Sequence, residues 1–263
     1  MTRKQLYAKL LDAALRVYDR QEASSVVYFV AEGLCGLTRA DFVLDPNTEV
    51  EWTSQLEQVV HEIADARPAQ YIVGRTEFCG LGLTVSEGVL IPRPETEELV
   101  QWIVADVING YTSPEPAVLD VGTCSGAIAV VLASLLPLAD VGAIDISPVA
   151  LNIAEANAES NGVDVEFRMA DILDPDFVAW TGWSDGAFDI IVSNPPYIPD
   201  SDVEAMHGNV TRYEPHEALF VPDNDPLIFY RAIVRLGHKL LKHGGLLYFE
   251  IYERAGDDLQ RML

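Results

Sequence analysis

The sequence predicts an α/β protein: a mostly parallel sheet with helices on both faces, preceded by a small helical bundle. Three observations carry that reading. From about residue 116, short apolar runs alternate with segments of helical periodicity, the pattern of a parallel sheet covered on both sides. Residues 1–75 show helical spacing alone. Several of the apolar runs end in Asp, Gly or Asn, at the strand exits where open parallel sheets bind ligands.

Residues 3–20 place Leu6, Leu10, Ala13, Ala14 and Val17 on one helical face. A second helix is expected over 23–34, ended by Gly36, and Thr38 can cap a short third. Asp45-Pro46-Asn47 reads as a turn, and 54–66 as a helix stopped before Pro68. This bundle, 1–75, is expected to serve as a docking or lid module. Residues 77–90 alternate as a β-hairpin, and 91–98 form a stiff loop entering a helix with acids in its first turn. Together, 76–115 make a hairpin and linker helix. The third domain, 116–263, has strands at 117–121, 141–146, 163–169, 188–193 and 246–251. Its helices are at 127–135, 148–160 and 227–242, and Gly244-Gly245 is a turn.

Composition narrows the function. Of 263 residues, 49% are hydrophobic and 22% charged, as in ordinary globular proteins. No apolar run reaches membrane-spanning length and the N-terminus lacks a signal-peptide core, so a cytoplasmic protein with no membrane partner is expected. Cys35, Cys79 and Cys124 form no C-x-x-C pair, so no metal site is expected. Net charge is −24 and uneven: residues 76–263 hold 9 Lys and Arg against 30 Asp and Glu. From Pro94 to Thr211 the one cation is Arg168, against 20 acids. Nucleic-acid surfaces need Lys and Arg to replace counterions, so no direct nucleic-acid partner is expected. The acids serve as a solvated surface or attract a basic protein.

The candidate site lies at four strand exits. Asp120-Val121-Gly122-Thr123-Cys124-Ser125-Gly126 leads from a strand into a helix, where glycines allow close ligand approach and the helix offers free N–H groups. Asp145, at the next exit, is placed to accept from ribose hydroxyls. Asp171-Ile172 follows the third strand, in position for an adenine edge. Each alone has a plain turn or cap as its alternative; together they describe a nucleoside crevice. Asn194-Pro195-Pro196-Tyr197 follows the fourth strand. Pro195 holds Asn194 extended. The Asn194 side-chain carbonyl and the Pro195 backbone carbonyl can accept both hydrogens of a substrate NH2, with Tyr197 packed over its plane. If the nitrogen then faces the methyl of a sulfonium, the result is in-line methyl transfer driven by orientation and electrostatics.

These residues resemble the S-adenosylmethionine-dependent methyltransferases of class I, Rossmann-like fold, in the amino-methylating group with [N/D/S]-P-P-[Y/F]. Residues 68–74 (PAQYIVG), 89–97 (VLIPRPETE), 193–198 (SNPPYI) and 213–219 (YEPHEAL) extend the likeness to one family, the peptide chain release factor glutamine methyltransferases (HemK/PrmC). The resemblance spans nearly the whole chain. It implies methylation of the Gln in the Gly-Gly-Gln motif of release factors, with S-adenosylmethionine as cofactor and S-adenosylhomocysteine as product. It implies that Gly122, Thr123, Cys124, Ser125 and Gly126 line the methionine part, Asp145 the ribose and Ile172 the adenine. Asn194, Pro195, Pro196 and Tyr197 would hold the glutamine; Arg93 and Glu95, Thr96, Glu97 would shape the loop above it, or be structural. The bundle would dock the release factor, and the enzyme would act as a monomer.

Three departures stand out. Cys124 replaces the usual middle glycine of the loop. Residues 220–226 (FVPDNDP) replace a glycine-rich stretch. The seven-stranded class I sheet would lack its last two strands in this chain. The competing readings are a ribosomal-protein glutamine methyltransferase, a DNA or RNA adenine methyltransferase, which acid-rich composition opposes, and an inactive cofactor-binding scaffold, which intact Asp145, Asn194 and Tyr197 oppose.

Overall fold

The computed structural model describes residues 1–175 and 182–263. The chain divides into two compact units: Met1–Arg75 with His207–Tyr213, and Thr76–Met206 with Glu214–Leu263.

In the first unit, α1 (Arg3–Ala14) starts in a capping box between Thr2 and Gln5. It is shorter than the 3–20 span that the apolar spacing predicts. The chain leaves α1 through a turn closed by Arg16 and Val17 N–H bonds to the Ala13 and Ala14 carbonyls, and Asp19 then caps α2 (Arg20–Cys35), accepting from the Gln21 and Glu22 N–H groups. The Asp19 cap satisfies two orphan donors of α2 and fixes its start, so the apolar stripe does not continue as one helix. Gly36 ends α2 at φ 66°, a left-handed value that glycine adopts without strain. The helices α3 (Arg39–Leu44), α4 (Ser54–Ala64) and α5 (Ala69–Val73) complete the N-terminal stretch. Leu6, Leu10, Val27, Val30 and Ile63 are fully buried at its centre. His207–Tyr213 packs with these helices: the Tyr213 hydroxyl donates to Asp65 Oδ2 at 2.8 Å and Arg212 Nη2 donates to the Asp65 carbonyl at 2.9 Å.

The second unit opens with a short hairpin, β1 (Arg75–Phe78, whose first residue belongs to the first unit) and β2 (Leu81–Thr84). The hairpin is shorter than the 77–90 span that alternation predicts. Helix α6 (Pro94–Ile108) carries Pro at N1 and Glu95 and Glu97 in its first turn. Then follow β3 (Ala117–Val121), α7 (Ala127–Leu135), β4 (Asp140–Asp145), α8 (Pro148–Asn161), β5 (Glu166–Met169) and β6 (Phe188–Ser193). After β7 (Ile198–Pro199) come α9 (Gly208–Tyr213, in the first unit), β8 (Phe220–Val221), α10 (Ile228–Leu240), β9 (Leu241–Phe249) and α11 (Gly256–Met262).

The main sheet has order β5-β4-β3-β6-β9, and every neighbouring pair is parallel. Alternate residues on β3 feed opposite cores. Val118 packs with Ile103 of α6 and Val130 of α7. Leu119 and Val121 pack with Ile233 and Leu236 of α10. Gly244-Gly245, expected as a plain turn, lies inside β9, where the register with β6 jumps from Phe188↔Leu241 to Ile190↔Leu246. Succession runs outward both ways from β3 and β6, so the crevice beyond their carboxyl ends is a topological switch point. Among the described residues no helix is long and apolar enough to cross a membrane.

Candidate active site

A cleft of about 770 Å³ opens at that switch point, within the size range of small-molecule sites. Its walls include Gly122, Cys124, Asp145, Asp171, Ile172 and Asn194. Pro195 and Pro196 line it as well, so the four strand exits do converge. Thr123, Ser125 and Gly126 are outside that lining. Thr123 and Ser125 are buried behind the loop, at 4% and 1% exposure.

The loop is held from below. Thr123 Oγ1 donates to Asp120 Oδ2 at 2.6 Å, and burial pushes the Asp120 carboxyl up to about 7 against that bond. The Gly122 and Thr123 N–H groups both reach the Ile144 carbonyl at 2.9 Å. Fully buried Asn157 on α8 ties neighbouring parts together, donating to the Thr84 and Ser125 carbonyls and accepting from the Thr84 N–H at 2.7 Å. Gly126 enters α7 at φ 80°, and a Cβ there would stand 2.9 Å from Ala154 Cβ, so only glycine lets α7 and α8 approach this closely.

Asp145 joins two loops. Its Oδ2 accepts from the Cys124 N–H and its Oδ1 from the Ser147 N–H, both at 2.8 Å. Burial raises its pKa, partly offset by these backbone donors. A carboxylate has about four acceptor sites, so capacity remains for ligand hydroxyls. Ser147, not Asp145, caps α8, accepting from Ala150. Asp171 Oδ1 accepts from the Leu173 N–H at 2.8 Å, fixing its own turn at the cleft wall. Cys124 has φ 53° and accepts at Sγ from the Leu90 N–H at 2.9 Å.

Beside the cleft lies a second cavity of about 100 Å³, lined among others by Arg93, Asn194, Pro195, Tyr197 and Glu250. Asn194, Pro195 and Leu90 border both spaces. Asn194 Nδ2 donates to Thr96 Oγ1 at 3.2 Å. The Tyr197 hydroxyl donates to Glu250 Oε1 at 2.9 Å; burial first, and then the charge of Glu250, raises the Tyr197 pKa well above its usual value. The phenol therefore stays a neutral donor. Arg93 Nη2 pairs with Glu214 Oε1 at 2.6 Å, and Glu214 Oε2 accepts from the Ile91 N–H at 3.1 Å.

Glu250, Glu214 and the hydroxyl of Thr96 complete the site, although no sequence pattern assigns them roles of their own. Glu250 carried a usable signal: it exits β9 as Asp145 exits β4, a charged residue at the end of an apolar run. Thr96 and Glu214 carried none beyond lying in short distinctive stretches.

Sequence comparisons identify relatives over nearly the whole chain. Residues 103–211 match the methyltransferase small domain family. A release factor glutamine methyltransferase of Flavobacterium psychrophilum is 41% identical over 262 residues, 99% of this chain and 90% of the relative. One from Bacteroides thetaiotaomicron is 41% identical over 250 residues, 94% of this chain and 86% of the relative. One from Streptococcus pneumoniae is 38% identical over 255 residues, covering 96% and 86%.

Proposed function

The chain belongs to the release factor glutamine methyltransferase family, and from that membership we propose that it methylates the side-chain nitrogen of the Gln in the Gly-Gly-Gln motif of release factors. The reaction class is S-adenosylmethionine-dependent glutamine methylation. The residue roles rest on one observation: Asn194 borders both the cleft and the smaller cavity, with its NH2 end tied to Thr96.

The cleft suits S-adenosylmethionine in size and in chemistry. Ile144, Ile146, Ile172 and Phe229 give it apolar walls, and Asp145 gives it an anionic acceptor. Asp145 would hold the ribose, Ile172 would pack on the adenine with Asp171 at its edge, and the Gly122–Cys124 turn would border the methionine part. When bound, this cofactor supplies an electrophilic methyl on a sulfonium.

The rest belongs to the chain's own residues. Asn194 Oδ1 and the Pro195 carbonyl would accept the two hydrogens of the glutamine NH2, fixing its plane and drawing electron density onto nitrogen. Tyr197, stacked on Tyr252 at 6.1 Å and anchored to Glu250, would pack against that plane. The proton shed by nitrogen leaves to solvent. A release-factor substrate would be met in the cytoplasm, and no helix among the described residues is long and apolar enough to cross a membrane.

The test is transfer of labelled methyl to purified release factor, to its Gln→Ala variant, to a ribosomal protein and to DNA. Label on the first alone is the expected result. Label on the ribosomal protein or on DNA, with none on release factor, overturns the proposal.

A further inference from the structure

An asparagine amide has two ends of nearly equal size and opposite hydrogen-bonding sense. Asn194 can grip a substrate NH2 only if its carbonyl faces that group, and the steric fit of the side chain does not choose the end. A chain of hydrogen bonds two residues deep ends on this amide.

Glu250 is at the start of that chain. As a carboxylate it only accepts, and it receives two hydroxyls: Thr96 Oγ1 at 2.6 Å on Oε2 and the Tyr197 hydroxyl at 2.9 Å on Oε1. A hydroxyl has a single hydrogen. Once Thr96 spends it on Glu250, its oxygen can offer Asn194 nothing but lone pairs. Asn194 must then turn its NH2 toward Thr96, at the observed 3.2 Å, which leaves Oδ1 for the substrate. Thr96 is 4% exposed, so water does not compete freely for this hydroxyl. The backbone of Glu250 is fixed as well: its N–H donates to the Ser193 carbonyl at 3.0 Å and its carbonyl accepts from the hydroxyl of fully buried Tyr230 at 3.1 Å.

We propose that Glu250 and Thr96 are positioning residues that set the rotamer sense of the Asn194 amide, so that a single carboxylate orients both the acceptor and the aromatic wall of the glutamine grip. This rests on Asn194 being that grip. It makes the site selective for the amide over the acid: a glutamate side chain would meet the Asn194 carbonyl and be repelled.

The experiment compares wild type with Glu250→Met, Thr96→Val and Thr96→Ser. Each is assayed for turnover of release factor, for cofactor Kd, and for inhibition by the release-factor form whose motif Gln is replaced by Glu. Removing the carboxylate, or the hydroxyl, frees Asn194 to present NH2. Turnover should fall on the order of a hundredfold in Glu250→Met and Thr96→Val, with cofactor Kd unchanged. Both variants should become sensitive to the Glu form, which should barely inhibit wild type. Thr96→Ser keeps the hydroxyl and should keep both turnover and insensitivity. A general loosening of the site could lower turnover, but it would not raise affinity for the acid. Should Glu250→Met fail to fold, Thr96→Val and Thr96→Ser decide alone. Wild-type turnover in Thr96→Val, or lost turnover without new sensitivity to the Glu form, overturns the inference and leaves the proposed function standing. Wild type that transfers no methyl to release factor takes both down together.

Discussion

Arg93 and Glu214 meet at 2.6 Å across 121 positions of sequence, and the same carboxylate accepts from the Ile91 N–H at 3.1 Å. The Glu214 side chain is 2% exposed, that of Arg93 32%. The buried partner thus holds the Ile91–Arg93 loop down, beside the cavity that Asn194 and Tyr197 line. Glu214→Ala leaves a buried N–H unpaired as well as a cation short of its partner. Arg93 can turn to water, so the N–H dominates, and the expected loss is about 1–3 kcal/mol. Glu214→Gln keeps an acceptor for Ile91 and should lose less. Urea melts of the two variants check this; equal stability of both with wild type would show the pair to be ornamental.

Asn194→Ala removes the side-chain acceptor while leaving Asp145, Asp171 and Ile172 in place. Turnover should drop by roughly a hundredfold, as for loss of one positioned polar group, with cofactor affinity near wild type. Steady-state kinetics with calorimetric cofactor titration separates the two quantities. Unchanged turnover would remove Asn194 from the reaction.

Cys124 holds φ 53°, a left-handed value that costs a non-glycine residue roughly 1–2 kcal/mol. Cys124→Gly relieves that strain and widens the approach to the cleft, but gives up the Sγ acceptor of the Leu90 N–H. Leu90 borders both cavities, so its N–H can find water. Cofactor affinity should be kept or improved, and a calorimetric titration showing clear loss would overturn this. In wild type, burial pushes the Cys124 thiol up to about 12, so it should resist alkylation near neutral pH.

Asp120 predicts the sign of a pH effect. Its carboxyl is raised from 3.8 to about 7 by complete burial, so between those values the folded chain holds a proton that the unfolded chain has lost. Stability therefore falls as pH rises from about 4 to about 7 and levels off above. Asp145, also raised, acts in the same direction. Asp41 and Asp225 are lowered and act oppositely, at pH below the usual carboxylate range. Denaturant midpoints across this window should decline in wild type and decline less in Asp120→Asn. Identical slopes would assign the effect elsewhere.

The parallel sheet was legible because β3, β4 and β6 are apolar runs bounded by turn residues, and their exits put Asp145 and Asn194 where strand geometry says a ligand goes. What escaped depends on partners far apart in sequence. Thr96 and Glu250 are 154 positions apart, and nothing local distinguishes a threonine that orients an amide from one that caps a turn. The break before Asp19 was hidden by Val17, whose spacing continues the apolar stripe after the backbone has left the helix. Likewise His207–Tyr213 packs with the N-terminal helices through Arg212 and Tyr213 on Asp65, a pairing that no periodicity announces.

Gly126 offers the sharpest test of how the loop is built. A Cβ there would stand 2.9 Å from the Ala154 methyl and 3.1 Å from the Ala154 backbone, and the residue holds φ 80°. Gly126→Ala therefore meets two separate penalties: left-handed backbone, roughly 1–2 kcal/mol, and overpacking between α7 and α8, about 1–3 kcal/mol. Only the second involves α8. Adding Ala154→Gly removes the clash between the two methyl groups. The crowding against the α8 backbone and the strain at position 126 stay, so the double variant should recover part of the loss and no more. Ala154→Gly alone should cost about 1 kcal/mol as a helix-interior glycine. A double-mutant cycle in urea then gives a favourable coupling energy for the pair. Zero coupling would mean that the helices move apart freely, and that Gly126 is required by its backbone conformation alone.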